Sequence, residues 1–182
     1  MEYREEGDFL GKVRVPLGAY YGIFTVRASQ NFRISASKPP REFIRMLALV
    51  KKSCAEANMA TGELDAKTGK AIAQAASEVA EGKFDSQFIL GSYTAGAGTP
   101  FNMNMNEVIA NRAEELLGGK IGQYHLVHPN NHVNMSQSSN DAIPAAIRLT
   151  LISQSREVML EAIKLAAEIG KKKKLVITPK LN

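Results

Sequence analysis

Apolar residues recur every three to four positions in several long segments of the chain, which predicts a mainly helical protein. The first predicted helix covers residues 40–60 and ends before Gly62. The second covers residues 65–81, with Asp65 as N-cap and Gly82 as the C-terminal stop. The faces expected to be buried are Phe43, Met46, Leu47, Val50, Cys54 and Ala57 in the first helix, and Ile72, Ala75, Ala76 and Val79 in the second.

Two more helices follow in the second half of the chain. One is predicted to begin near Asn104 and to end before Gly118, with Val108, Ile109, Ala113, Leu116 and Leu117 as its apolar face. The other begins near Ser139 and continues for about 30 residues, longer than is usual in a globular domain. Its apolar positions spread around most of the circumference, so it needs partners on several sides, as in a bundle. This predicts either an oligomer or a truncated protein.

The rest of the chain reads as loops and short extended pieces. Residues 1–38 are expected to be irregular apart from a small β-hairpin, with strands at residues 12–15 and 19–22 and a turn at Gly18. Residues 84–103 and 120–138 read as loops rich in glycine, asparagine and serine. The expected fold is mainly α: a small helical N-terminal domain with a short β-hairpin over residues 1–138, then the first long helix of a central helical bundle. That helix and an atypical, β-leaning tail, KKKKLVITPKLN, make up residues 139–182.

Composition narrows the class of protein. The 182 residues are 45% hydrophobic, without an apolar run long enough to span a membrane, and the acidic start MEYREEGD is unlike a signal peptide. Cys54 is the single cysteine, which excludes an intramolecular disulfide. We therefore expect a cytoplasmic protein with no membrane partner. The net charge of +5 comes largely from residues 171–174 and is weak support for nucleic-acid binding, which we do not expect.

The stretch from Gly96 to Pro144 carries the candidate chemistry. Its asparagines, Asn102, Asn104, Asn106, Asn111, Asn130, Asn131, Asn134 and Asn140, predict a polar pocket of neutral donors and acceptors. Ser138, Ser139 and Asn140 stand where the long helix begins, and Thr99 follows a small-residue loop. These four residues either cap helices or form a carboxylate clamp, in which helix N-termini stabilise an anion without a competing cation.

Other chemistry receives less support from the spacing of residues. His128 and His132 are four positions apart, but Pro129 argues against a helical zinc pair, and the methionines are more typical of core packing than of metal binding. Glu107 and Asp141 either orient groups of the site or are charges at helix starts. We expect no metal and no cofactor.

Together these segments resemble the aspartase/fumarase superfamily, in its aspartate ammonia-lyase and class II fumarate hydratase branch. The resemblance rests on DFLGKVRVPLGAYYGIFTVRASQNFRIS, GAGTPFNMNMNEVIAN and HPNNHVNMSQSSNDAIP. It implies a small N-terminal domain, a long central helical domain and a homotetramer with a twenty-helix core. It also implies anti elimination from a dicarboxylate, giving fumarate through an aci-carboxylate.

The resemblance implies residue roles as well. Thr99, Ser138, Ser139 and Asn140 match the family's substrate-binding positions, and His128 and Asn130 match a possible second dicarboxylate site. The family's Gly-Arg-Thr-His motif and its Gly-Ser-Ser-x-Met-Pro-x-Lys-x-Asn base loop are absent from these 182 residues. The chain is therefore expected to hold no catalytic residue of its own and to be inactive alone.

Features of both branches are present. Ala97 and His132 resemble the aspartases, whereas Ser139 and the residues at 128–130 resemble the fumarases. Ala97, which replaces a serine typical of fumarases, favours aspartate ammonia-lyase. The alternatives are class II fumarate hydratase and a non-catalytic assembly or binding relative.

Overall fold

The computed structural model describes residues 2–31 and 34–177, with side chains as far as Lys172. Within these ranges the strands are β1 Tyr3–Asp8 and β2 Gly11–Pro16, and the α-helices are α1 Ile23–Asn31, α2 Arg41–Ala60, α3 Ala66–Ala80, α4 Thr99–Leu116 and α5 Ser139–Ile177. Single 3-10 turns at Asp85–Gln87 and Gly96–Gly98, and a π-helical turn at Pro129–Val133, lie in the loops. The predicted mainly helical fold with a short β-hairpin is confirmed.

The β-hairpin uses different strands from those predicted. β1 pairs antiparallel with β2, from Tyr3 opposite Pro16 to Asp8 opposite Gly11. The chain reverses through Phe9 and Leu10, and Gly11 takes a φ of 109°, which favours glycine. The prediction of a strand at residues 19–22 is wrong. The true first strand, YREEGD, is too polar to show the alternation by which strands are found.

Helices α2 and α3 pack against each other and against α4 to form the core. The predicted bounds of α2 and α3 are confirmed within a residue or two. Asp65 is the N-cap of α3, as predicted: its Oδ1 accepts hydrogen bonds from the backbone amides of Lys67 and Thr68 at 3.0 and 2.9 Å. The predicted stripe of α3 is buried. The buried face of α2 differs in part from the predicted one: Ala57, predicted to be buried, is exposed, whereas Lys51 and Asn58 are buried. Both polar side chains find hydrogen-bond partners in a loop, which periodicity does not reveal.

Helix α4 begins at Thr99, and the prediction of a start near Asn104 is wrong. Gly98, with a φ of 94°, is its N-cap, and Pro100 fits the first turn, where its missing N–H costs nothing. The helix is buried on nearly all sides, and its buried side chains include polar ones as well as Met105, Val108 and Ile109. Its buried polar residues are Asn102, Asn104, Asn106, Glu107, Asn111 and Glu114.

By its internal contacts the chain divides into two units, one ending at Ile147 and one beginning at Arg148. Over its described residues the second unit is the continuation of α5, and apolar side chains such as Leu151, Ile152 and Ile163 are more than half exposed there. Residues 175–177, predicted to be β-leaning, are helical; residues 178–182 of the predicted tail lie outside the described ranges. No helical stretch in the described part of the chain combines the length and hydropathy that a bilayer span requires.

Helix α1 was missed by the sequence analysis because a distant side chain caps it. The carboxylate of Glu107, in the middle of α4, accepts hydrogen bonds from the amides of Gly22, Phe24 and Thr25 at 2.9, 2.9 and 3.1 Å. The Thr25 hydroxyl donates a fourth, at 2.6 Å. A Cβ at Gly22 would lie 2.8 Å from the oxygens of both Glu107 and Glu6, so glycine permits this close approach. Glu107 therefore joins the N-terminal segment to the core.

We expect Glu107→Ala to lower the free energy of unfolding by about 3 kcal/mol or more, because it leaves several buried donors without an acceptor. Glu107→Gln, which keeps one carbonyl oxygen, should cost less. Urea denaturation measures both variants. The control is Glu63→Ala, which alters an exposed side chain and should stay within about 0.5 kcal/mol. Equal stability of Glu107→Ala and Glu63→Ala would contradict the assignment.

Candidate functional site

The N-termini of α4 and α5 meet at two hydroxyl side chains. The Oγ1 atom of Thr99, the first residue of α4, lies 3.2 Å from Oγ of Ser139, the first residue of α5. Thr99 Oγ1 donates its hydrogen to the Gly96 carbonyl at 2.8 Å, so Ser139 is the donor between the two hydroxyls. Both side chains are partly exposed and can reach a ligand.

The glycine-rich turn before Thr99 makes this approach possible. Gly96, Ala97 and Gly98 take φ values of 67°, 49° and 94°, a run of left-handed conformations that favours glycine at its two ends. A Cβ at Gly98 would lie 2.8 Å from Cγ2 of Ile143 in α5. The absence of a side chain at Gly98 thus lets the start of α5 pack against the start of α4.

Ser138 and Asn140 flank Ser139 on the first turn of α5. Ser138 Oγ accepts a hydrogen bond from the Asn140 amide at 3.1 Å, so Ser138 is the N-cap of the helix. Its hydroxyl hydrogen remains able to donate to a ligand, and the side chains of Ser138 and Asn140 are exposed. The capping and clamp interpretations are therefore compatible. Asp141 lies in the first turn of α5, as a charge at a helix start.

The electrostatics of this region favour an anion. Each helix N-terminus carries about half a positive charge and unpaired amide groups. A cleft of about 400 Å³ borders Thr99 and Gly96 and is also lined by Phe24 and Arg27. The Arg27 guanidinium already binds both carboxylate oxygens of Asp8, at 2.9 and 2.8 Å. The candidate carboxylate clamp, that is, Thr99, Ser138, Ser139 and Asn140, consists of neutral groups, of which Thr99 borders this cleft.

His128 and Asn130 lie together on the loop before α5. His128 Nδ1 accepts hydrogen bonds from the backbone amides of Asn130 and Asn131, both at 3.2 Å, and therefore carries its proton on Nε2. The His128 backbone amide in turn donates to His132 Nδ1 at 2.9 Å. Burial and the nearby His132 lower the pKa of His128. The loop thus presents a neutral Nε2–H and the exposed Asn130 side chain.

A buried cluster beneath the start of α5 was missed by the sequence analysis. Lys51, fully buried on α2, donates to Asn134 Oδ1 at 3.0 Å and to Gln137 Oε1 at 2.8 Å. Burial lowers the pKa of Lys51 from 10.5 to about 7. A signal was present, because Lys51 falls between Leu47, Ala48 and Ala55 on the buried face.

Most of the asparagines do not line a pocket, which corrects the sequence-based expectation. Asn102 and Asn106 donate to Asn134 Oδ1, and Asn104 donates to the Gln87 carbonyl. Asn111 donates from Nδ2 to the Tyr20 carbonyl and the Tyr124 hydroxyl, and its Oδ1 accepts from the Gly122 amide. The amides of α4 therefore hold loops in place through their NH2 groups, although the Oδ1 atoms of Asn102 and Asn106 are buried without a partner. Within the described residues, no three His, Cys, Asp or Glu side chains cluster as metal ligands.

Comparison with known proteins gives consistent matches. The sequence profile of a family described as Lyase matches residues 11–175. An aspartate ammonia-lyase from Bacillus sp. is 51% identical over 84% of this chain and 32% of its own length. A class II fumarate hydratase from Campylobacter jejuni is 47% identical over 96% of this chain and 38% of its own. A crystal structure of a fumarate lyase:delta crystallin protein from Brucella melitensis, bound to cobalt, matches with a TM-score of 0.88 and 41% identity, over 95% of this chain and 38% of that one. The chain thus spans about a third of the length of these relatives.

The neutral state of His128 should make stability depend on pH. Its pKa is lowered in the folded protein, so the unfolded chain takes up the proton more readily as the pH falls below about 6.5. The stabilising contribution is complete above that pH and is lost as the pH falls through the lowered folded pKa. Thermal denaturation between about pH 7.5 and 5 should show a smaller loss of stability in His128→Asn than in the wild type. His125→Asn, a change at an exposed histidine, should behave as the wild type; identical pH profiles for all three proteins would refute the role of His128.

Proposed function

The chain belongs to the lyase family that includes aspartate ammonia-lyases and class II fumarate hydratases, and from this premise we propose that it is the N-terminal part of a fumarate-forming lyase. The substrate is a four-carbon dicarboxylate. The observation that carries the proposal is the meeting of the Thr99 and Ser139 hydroxyls, 3.2 Å apart, at two helix N-termini. These groups bind a carboxylate by hydrogen bonds and helix dipoles.

The chemistry follows from what such a clamp stabilises. When a base removes the proton next to a carboxylate, that carboxylate becomes an aci-carboxylate with a second negative charge. The carbon–nitrogen bond of the ammonium group then breaks with loss of ammonia, or the carbon–oxygen bond breaks while a general acid protonates the departing hydroxyl to water, and fumarate is released. Donors fixed in advance around the developing charge lower the barrier, because they do not need to reorganise. In this proposal the chain supplies the clamp, and the base belongs to segments that the chain lacks.

We propose aspartate as the substrate and aspartate ammonia-lyase as the activity. The support is Ala97, which occupies a left-handed position beside the clamp and brings a methyl group where a serine would bring a hydroxyl. Class II fumarate hydratase is the alternative. It is supported by the ordered loop at His128 and Asn130, which matches a second dicarboxylate site of fumarases.

We propose further that the protein acts as a homo-oligomer, a tetramer in its full-length form. Residues 1–138 are assigned to an N-terminal lyase domain and residues 139–182 to the first helix of a central helical domain and its tail. The support is the exposed apolar surface of α5 beyond Arg148, where Leu151, Ile152 and Ile163 need covering. A second copy of the same helix offers a matching apolar surface.

Succinate, an unreactive dicarboxylate, tests the clamp directly. Thr99→Ala and Ser139→Ala should each weaken succinate binding about tenfold, because each removes a hydroxyl that turns from its partner in the protein, the Gly96 carbonyl or Thr99 Oγ1, to donate to the charged acceptor. NMR titration of the chain measures the affinity and shows whether the amides of residues 99 and 138–140 shift. Ser53→Ala, at an exposed position of α2, is the matched control and should bind as the wild type. Unchanged affinity in both clamp variants would reject the assignment.

Chimaeras test the substrate. Replacing the matching third of the Bacillus aspartate ammonia-lyase by this chain should preserve production of fumarate from aspartate, followed by ultraviolet absorbance. The same replacement in the Campylobacter fumarate hydratase should lower activity on malate, and Ala97→Ser should restore part of it. Preference for malate in the second chimaera without Ala97→Ser would favour the fumarate hydratase assignment. Two folded but inactive chimaeras would indicate a non-catalytic relative.

A further inference from the structure

The buried ammonium of Lys51 lacks a counter-ion in the described part of the chain. Its side chain is fully buried, and its hydrogen-bond acceptors are the neutral amides of Asn134 and Gln137. Burying a charge without an opposite partner is costly, which makes Lys51 a candidate for a role beyond packing.

The amides around Lys51 leave its charge uncompensated. Asn134 Oδ1 has two lone pairs but receives three donors: Lys51 Nζ at 3.0 Å, Asn102 Nδ2 at 3.0 Å and Asn106 Nδ2 at 3.1 Å. The Oδ1 atoms of Asn102 and Asn106 are buried without a partner. The region is therefore rich in donors directed at one point, and it is positively charged when Lys51 is protonated.

The cluster is joined to the carboxylate clamp through the backbone. Asn134 Nδ2 donates to the Gln137 carbonyl at 3.0 Å, and that carbonyl belongs to the peptide group that leads into Ser138. The Gln137 side chain accepts from Lys51 and donates to two carbonyls of its own loop. Lys51 thus fixes both the side chain and the backbone of the residue immediately before the clamp.

We propose that Lys51 is a positioning residue of the carboxylate clamp, which it holds in place through Asn134 and Gln137 and whose anionic ligand its charge favours. The role rests on the proposed function, because it requires the clamp to bind a dicarboxylate. A bound dianion stabilises the protonated form of Lys51, and by reciprocity the protonated form binds the dianion more tightly.

The coupling between dianion binding and protonation of Lys51 can be measured as a pH dependence of affinity, because few titratable groups among the described residues surround Lys51. Its own helix brings Cys54, which interacts with it electrostatically, and α4 and the loop at residues 134–137 bring neutral amides. On the π-helical turn, His132 interacts instead with Asp65 at the N-cap of α3 and with His128. Since the pKa of Lys51 is about 7, its charge is lost as the pH rises above that value.

The test is succinate binding by the full chain, measured by calorimetry between about pH 6 and 9. We expect wild-type affinity to fall about tenfold over this range. Lys51→Met should bind about tenfold more weakly at pH 6 and show no further decrease. Lys52→Met, a change at the more exposed neighbouring lysine, should keep both the affinity and the pH profile of the wild type.

Asn134→Asp tests both links of Lys51 to the clamp and serves also where Lys51→Met does not fold. It places a carboxylate beside Lys51 and removes the amide donor to the Gln137 carbonyl, so binding should weaken and the decrease between about pH 7 and 9 should disappear. A wild-type profile that is flat in this range, or Asn134→Asp that binds as the wild type, would overturn the role of Lys51 while leaving the clamp intact. Absence of saturable succinate binding by the wild type would overturn the clamp and the role of Lys51 together.

Discussion

The fold depends on the polar side chains buried along α4. Buried carboxylates and amides require hydrogen-bond partners, and many of the partners here are main-chain groups of other segments of the chain. Glu107 holds the start of α1, and Asn111 holds the residues around Tyr20 and Gly122. Glu114 accepts from the amides of residues 125–127. Loops without regular structure of their own are thereby fixed to one rigid helix.

This arrangement explains how hydroxyl groups next to loops can be held in fixed positions, as a binding site requires. Thr99 begins the same helix whose interior amides hold Asn134, and Asn134 in turn holds the peptide before Ser138. The two halves of the carboxylate clamp are therefore connected through α4 and the Asn134 side chain as well as by their direct contact. Preorganisation of this kind is what binding and stabilisation of a developing charge require.

The parts of the fold that follow local rules could be predicted from the sequence. Asp65 as an N-cap, Gly62 and Gly82 as stops, and the hydroxyl-rich start of α5 are signals within one turn of the element they control. Thr99 could be placed on a small-residue loop, but its position at the start of α4 was not predicted.

What could not be predicted depends on distant partners. Helix α1 is capped by Glu107, more than 80 positions away, so no local pattern marks its start. A lysine is expected at the surface, but Lys51 is buried, with the side-chain oxygens of Asn134 and Gln137 accepting its hydrogen bonds. The asparagines are unusually frequent in this part of the sequence, but their number alone does not distinguish a ligand pocket from hydrogen bonds that hold loops to α4.

The choice of neutral groups at the clamp and a cation beneath it has a physical consequence. A lysine or arginine in direct contact would bind the carboxylate of the substrate strongly before any charge develops, which favours affinity. Hydroxyls and helix ends give directional hydrogen bonds that strengthen as charge develops on the bound carboxylate. In the role proposed for Lys51, a buried ammonium joined to the clamp through Asn134 and Gln137 adds a positive potential without competing for those hydrogen bonds. A charge in a poorly screened interior acts at longer range than a surface charge would. The costly burial of Lys51 then has a reason, because its charge assists the clamp without occupying it.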